Sequence, residues 1–211
     1  MFLSKKIAAA ATAFLMAAPV FAQTDMLGVP GPIPFQGQSY ALAWSSQPSQ
    51  AYVKHEYVPK GQTVESYNDM FMVEALSGAI TPEQAAASQV QSLNERKKTD
   101  PVVNHAIVKN DATGEVLLDF IVSDMSANPI VVEWNAYRYV PLKQGQGIAL
   151  FAISRRAYGQ DNAQQFLKDL SAARTKDINA LAAYKTPALR IGKKALVLLR
   201  EAIAVLTASK I

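Results

Sequence analysis

The sequence predicts an α+β domain, an antiparallel sheet of about six strands covered by helices. Three observations carry that expectation. Six stretches read as strands, 40–46, 51–58, 104–109, 115–123, 130–142 and 147–158, with side chains alternating at period two in the first two and along Val131 to Val140. Short turn signals join consecutive strands, whereas parallel neighbours would need long crossovers. Other stretches carry apolar residues at helical spacing, and those helices should cover the sheet. With 211 residues, 50% of them hydrophobic, the chain can bury one core of ordinary size.

Residues 1–22, MFLSKKIAAAATAFLMAAPVFA, read as a secretory signal peptide. Lys5 and Lys6 supply the positive end, Ile7 to Ala18 the apolar run, and Pro19 its break. Val20-Phe21-Ala22 then offers small residues where a signal peptidase reads, so cleavage is expected before Gln23 and the mature chain is expected in the periplasm or outside the cell. Residues 23–38 contain Pro30, Pro32 and Pro34 at alternate positions and read as an extended leader outside the domain.

The domain is expected over 39–184. Tyr40, Leu42 and Trp44 alternate along a first strand, and Gln47-Pro48-Ser49 reads as the turn into a second. There Val53, His55 and Tyr57 share one face, with Tyr52, Lys54 and Glu56 on the other. Thr63 reads as the cap of a helix whose stripe is Val64, Tyr67, Phe71 and Ala75, ended by Ser77-Gly78. Thr81-Pro82-Glu83-Gln84 opens a second helix, expected to run to about Lys98. Asn110-Asp111-Ala112-Thr113-Gly114 is a turn between two strands, and two longer strands follow. Asp161 is expected to cap a last helix carrying Phe166, Leu170 and Ala173.

Residues 185–211 hold six basic side chains against Glu201, and read as a basic amphipathic helix. Leu196, Leu199, Ile203 and Leu206 gather on one half, with Lys193, Lys194 and Arg200 on the other. Such a helix fits either packing on its own domain or weak contact with an anionic membrane surface or a partner.

Composition narrows the chemistry. The absence of cysteine excludes disulfides, thiol nucleophiles, thiolate metal sites and lipoprotein acylation. Losing Lys5 and Lys6 with the signal peptide takes the net charge from +4 to +2, so no basic excess argues for nucleic acid. No pattern for a metal, a phosphate loop or a nucleophile elbow is present, and no cofactor is expected. His55 and His105 are the two histidines, and His55-Glu56 points to opposite faces of a strand.

The strand from Val131 to Val140 puts Glu133, Asn135, Tyr137 and Tyr139 on one face, with Trp134 and Arg138 on the other. The next strand offers Arg155 and Arg156, one to each face, and Asp119 belongs to a partner strand. These residues read either as cross-strand ion and aromatic pairs or as a polar ligand cleft. Asp119, Glu133, Asn135, Tyr137, Arg138 and Arg155 are the candidate binding residues.

Three segments, Tyr57-Val58-Pro59-Lys60-Gly61-Gln62-Thr63-Val64-Glu65-Ser66-Tyr67, Glu115 to Phe120, and Glu133-Trp134-Asn135-Ala136-Tyr137-Arg138-Tyr139, resemble exported proteobacterial proteins of unknown function. The likeness covers about 50–180. The element order is also similar to the Mog1/PsbP-like sandwich, whose members are binding and assembly factors. The resemblance supports the fold and the exported compartment and leaves activity open. Export, the aromatic-rich sheet, the extended leader, the amphipathic tail and the missing catalytic motifs together point to an accessory factor that binds an envelope protein or a small ligand without catalysis. Two alternatives stand beside it: a small hydrolase or lyase using His55 or His105 with a sheet carboxylate, and an envelope-surface protein attached through its C-terminal helix.

Overall fold

A computed structural model describes residues 23–142 and 146–190. The strands are β1 (Ile33–Phe35), β2 (Gln38–Ser49), β3 (Tyr52–Pro59) and β4 (Asp69–Ser77), followed by helix α1 (Pro82–Arg96). Then come β5 (Asn104–Asn110), β6 (Glu115–Asp124), β7 (Val131–Pro141), β8 (Gly147–Tyr158) and helix α2 (Gln160–Ala183). All eight strands form one antiparallel sheet in the order β1-β2-β3-β4-β8-β7-β6-β5. Each half is a four-strand meander followed by a helix, and the halves join where β4 pairs with β8.

This corrects the expected fold. The six-strand, Mog1/PsbP-like sandwich gives way to a sheet of eight, because two segments assigned elsewhere are strands. The stripe Val64-Tyr67-Phe71-Ala75 fits a helical period, yet residues 69–77 form β4 at the centre of the sheet. Met70, Phe71, Met72 and Val73 are all buried there, since both faces of a central strand are covered. Burial on both faces erases the period-two signal that marks a half-buried strand.

The second correction is the proline leader, which is part of the domain. Ile33–Phe35 pairs with Gln38–Tyr40 across a turn in which Gln36 (φ 47°) and Gly37 (φ 81°) are both left-handed. Pro34 is accommodated because β1 is an edge strand, where a missing N–H need not cost a ladder bond. Leu27, Val29, Ile33 and Phe35 are buried in the core, each contributing roughly 1.5–3 kcal/mol of apolar burial.

The helices lie on opposite faces. On one face Ala86 and Leu93 of α1 pack on Met72, Leu118, Phe120 and Leu150. On the other, Leu181 of α2 and the leader cover Phe71, Val73, Trp134, Phe151 and Ile153. Thr81 caps α1 as expected: its side chain accepts from the Gln84 N–H while the Gln84 side chain accepts from the Thr81 N–H. α2 instead begins after Gly159 (φ 83°), with no side-chain cap from Asp161. Residues 185–190 continue from α2 without helix, and the Arg190 N–H donates to the Leu27 carbonyl at 2.7 Å. The signal peptide and the tail residues Lys193, Lys194, Leu196, Leu199, Arg200, Ile203 and Leu206 lie outside the described residues.

Candidate functional site

Register across the centre of the sheet builds a cleft on the α1 face. One row of paired residues runs Lys54, Glu74, Leu150, Tyr139 over β3, β4, β8 and β7. The row above runs Tyr52, Leu76, Ile148, and the row below runs Glu56, Met72, Ala152, Tyr137. Alternation turns all of these side chains to the same face. Ala85 of α1 borders the opening, and its small side chain leaves space between helix and sheet. The resulting cleft holds about 340 Å³ and is walled by Tyr52, Lys54, Glu74, Tyr137 and Tyr139 over a floor of Leu76, Ile148 and Leu150.

Glu74 is the electrostatic centre. The Tyr52 hydroxyl donates to its Oε2 at 2.6 Å. Lys54 Nζ stands 2.8 Å from Glu56 Oε1 and 3.8 Å from Glu74 Oε1. Burial pushes the Glu74 carboxyl above its ordinary range, opposed by the Tyr52 hydrogen bond and by Lys54. Burial also raises the Tyr52, Tyr137 and Tyr139 phenols, and the Glu74 charge adds to each. All three hydroxyls therefore stay protonated at neutral pH.

Tyr137 stands edge-on to Phe120, with ring centroids 4.9 Å apart, and Tyr139 stands edge-on to Tyr137 at 6.2 Å. Packing thus fixes both rings. Among the described residues neither hydroxyl has a hydrogen-bond partner, although Tyr139 is 94% buried by its 6% exposure. By contrast Tyr57 and Tyr67, equally buried, both have hydroxyl partners within the protein. Two phenols that the fold holds rigid but leaves unpaired are the unusual feature of this face.

Of the six sheet residues singled out from the sequence, Tyr137 alone borders this cleft. Asp119, Arg138 and Arg155 are on the other face, where they clamp α2. Arg174 donates to both Asp119 oxygens at 2.6 and 2.7 Å, and Trp134 Nε1 donates at 3.3 Å. Arg138 holds Glu115 and donates to the Leu181 and Tyr184 carbonyls at 3.0 and 2.8 Å, closing the C-terminus of α2. Arg155 stands 3.0 Å from Asp177 and 3.5 Å from Asp69. Glu133 binds Arg156 and accepts from Asn135 Nδ2 at 2.8 Å, on the α1 face beside the cleft. The Asn135 Oδ1 is buried without a partner among the described residues.

The histidines serve differently. His55 is fully buried under the leader, accepting from the Met26 N–H. His105 borders a smaller cleft of about 250 Å³ with Asp119, Trp134 and Arg174. Both Asp119 oxygens there are already taken by Arg174, and no hydrogen bond joins the carboxylate to His105. No group of three or more metal-ligating side chains occurs among the described residues. None of the described helices is long and apolar enough to cross a membrane.

Sequence reasoning missed Glu74 because its strand read as a helix. The available signal was a lone carboxylate in Met70-Phe71-Met72-Val73-Glu74-Ala75-Leu76, an otherwise apolar run. Tyr52 and Lys54 were placed on one face from alternation, but without β4 beside them nothing faced them. Comparison with known proteins gives a family model matching residues 27–186, the model of an uncharacterised family. No curated protein and no solved structure matches the chain. The match begins at Leu27, the leader residue buried most completely.

Proposed function

The chain belongs to the uncharacterised family whose model spans residues 27–186, and from the site described above we propose that it is an exported protein that binds a small ligand in the cleft between α1 and the sheet. The reading is of a binding protein, with the fold acting as a rigid frame. The observation that carries it is the pair of unpartnered hydroxyls on Tyr137 and Tyr139, held over Glu74 in one cavity. Packing holds the two rings in place and leaves both hydroxyls free of partners among the described residues, so a ligand entering the cleft meets donors and acceptors already positioned for it. Export rests on residues 1–22, whose charge, apolar run, proline and small residues fit a cleaved signal peptide.

Native mass spectrometry of the chain produced with its own residues 1–22, paired with a denatured run, tests both parts. The denatured mass should correspond to a chain starting at Gln23. The native mass should show a retained ligand, and Ala85→Leu, which fills the mouth of the cleft, should remove it. An intact N-terminus would overturn export. An excess mass that survives Ala85→Leu would overturn the cleft as the site, and so would a bare native mass together with failure of every probe described below.

A further inference from the structure

The charges around the cleft name a class of ligand; this inference rests on the reading of the cleft as a binding site. Lys54 pairs with both carboxylates, 2.8 Å from Glu56 and 3.8 Å from Glu74, so a single ammonium is shared between them and lies closer to Glu56. Glu74 accepts a neutral hydrogen bond from Tyr52, which leaves its charge in place. Two carboxylates and one ammonium sum to one uncompensated negative charge, and the side chains of Glu74 and Glu56 are only 15% and 14% exposed. Tyrosine rings add the negative face of their quadrupoles, and their oxygens can accept from an N–H donor.

A second observation points the same way. Tyr139 is 6% exposed, its hydroxyl has no partner among the described residues, and it borders the cleft beside Glu74. We infer that the cleft takes a small organic monocation, a primary ammonium on an apolar body. The ammonium meets the Glu74 carboxylate and donates to the hydroxyl oxygens of Tyr137 and Tyr139, while the body lies on Leu76, Ile148 and Leu150. An anion would meet Glu74 head-on. A neutral ligand would seal an uncompensated carboxylate away from water, which is expensive in a low-dielectric site. The volume of about 340 Å³ is at the small end of ligand cavities, roughly 300–1,000 Å³, and suits a compact amine.

The test is titration calorimetry on the full-length chain with three probes of similar shape: phenethylammonium, 3-phenylpropan-1-ol and 3-phenylpropanoate. The ammonium should bind about tenfold or more tightly than the alcohol, and the propanoate should be weakest. Glu74→Gln should reduce the ammonium to the level of the alcohol, and Tyr139→Phe should weaken it by several-fold. Equal or tighter binding of the alcohol or the propanoate, lost in Ala85→Leu, would overturn the cationic class and leave the cleft as a ligand site. Ammonium binding unaffected by Glu74→Gln would also overturn it. If none of the three binds and the native protein carries no ligand, both this inference and the reading beneath it fail.

Discussion

His55 Nε2 accepts a hydrogen bond from the backbone N–H of Met26 at 3.1 Å, and this bond ties the leader to the sheet. The geometry sets the tautomer: with Nε2 accepting, Nδ1 carries the proton and donates to the Tyr57 hydroxyl at 3.0 Å. Tyr57 in turn donates to the Val29 carbonyl at 2.6 Å, so one side-chain relay holds the leader at two points. The relay works with a neutral imidazole only, because a protonated Nε2 cannot accept.

Stability should accordingly depend on pH through His55. Burial lowers its pKa, against a smaller opposing effect of Asp25. A depressed folded pKa means that the unfolded chain takes up the proton first as pH falls. The contribution is complete above the ordinary histidine value of about 6.5, and is lost between that value and the lower folded one. Urea midpoints measured from pH 8 to pH 5 should fall in that window, and His55→Gln should flatten the fall. A wild-type profile unchanged below pH 6.5 would count against the relay.

The unpaired phenols can be told from structural ones by truncation. Tyr137→Phe and Tyr139→Phe remove hydroxyls with no partner among the described residues, so stability should change by less than about 0.5 kcal/mol. Tyr57→Phe removes a bonded hydroxyl and strands the Val29 carbonyl, which should cost about 1–2 kcal/mol. Denaturant melts of the three variants make the comparison. A loss at Tyr139 as large as that at Tyr57 would mean that its hydroxyl serves the fold.

Legibility in the sequence followed alternation and flanking turns. β2, β3 and β7 could be read from alternation, β5, β6 and β8 from the turn residues Asn110 to Gly114 and Pro141 to Gly147 beside them, and α1 from its Thr81 cap. β4 could not, since a strand buried on both faces carries no alternation, and Phe71 and Ala75 fell by chance at helical spacing. β1 was hidden by prolines that only an edge position tolerates. Losing β4 meant losing Glu74 and with it the cleft. The residues that looked functional, Asp119, Arg138 and Arg155, drew notice as charges in apolar strands. Their partners Arg174, Glu115 and Asp177 show that those charges bind α2 to the sheet.

That clamp should respond asymmetrically to mutation. The Asp119 side chain is 8% exposed, and that of Arg174 is 41% exposed. Arg174→Ala leaves a buried carboxylate with only Trp134 as donor, and should cost about 2–4 kcal/mol. Asp119→Asn keeps the shape and leaves a guanidinium that water can reach, so about 1 kcal/mol is expected. Equal losses in chemical denaturation would contradict a clamp whose cost comes from the buried partner.

Glu74 should show the opposite sign to an ordinary stabilising carboxylate. Its pKa is raised, first by burial, so the folded state holds the proton more tightly than the unfolded chain does. Stability from this group therefore falls as pH rises from the unfolded value through the folded one, and the penalty is complete above it. Glu74→Gln removes the charge and retains an oxygen for the Tyr52 hydroxyl, while Lys54 keeps Glu56. The variant should melt above wild type at pH 7, and the two should converge as pH falls toward 4. Thermal scans across that range decide it: a variant less stable at pH 7 would mean that Lys54 and the other groups around Glu74 already compensate the charge. A more stable variant that has lost its ammonium affinity would identify Glu74 as a residue kept charged at the expense of the fold, as expected where a carboxylate is held for a ligand.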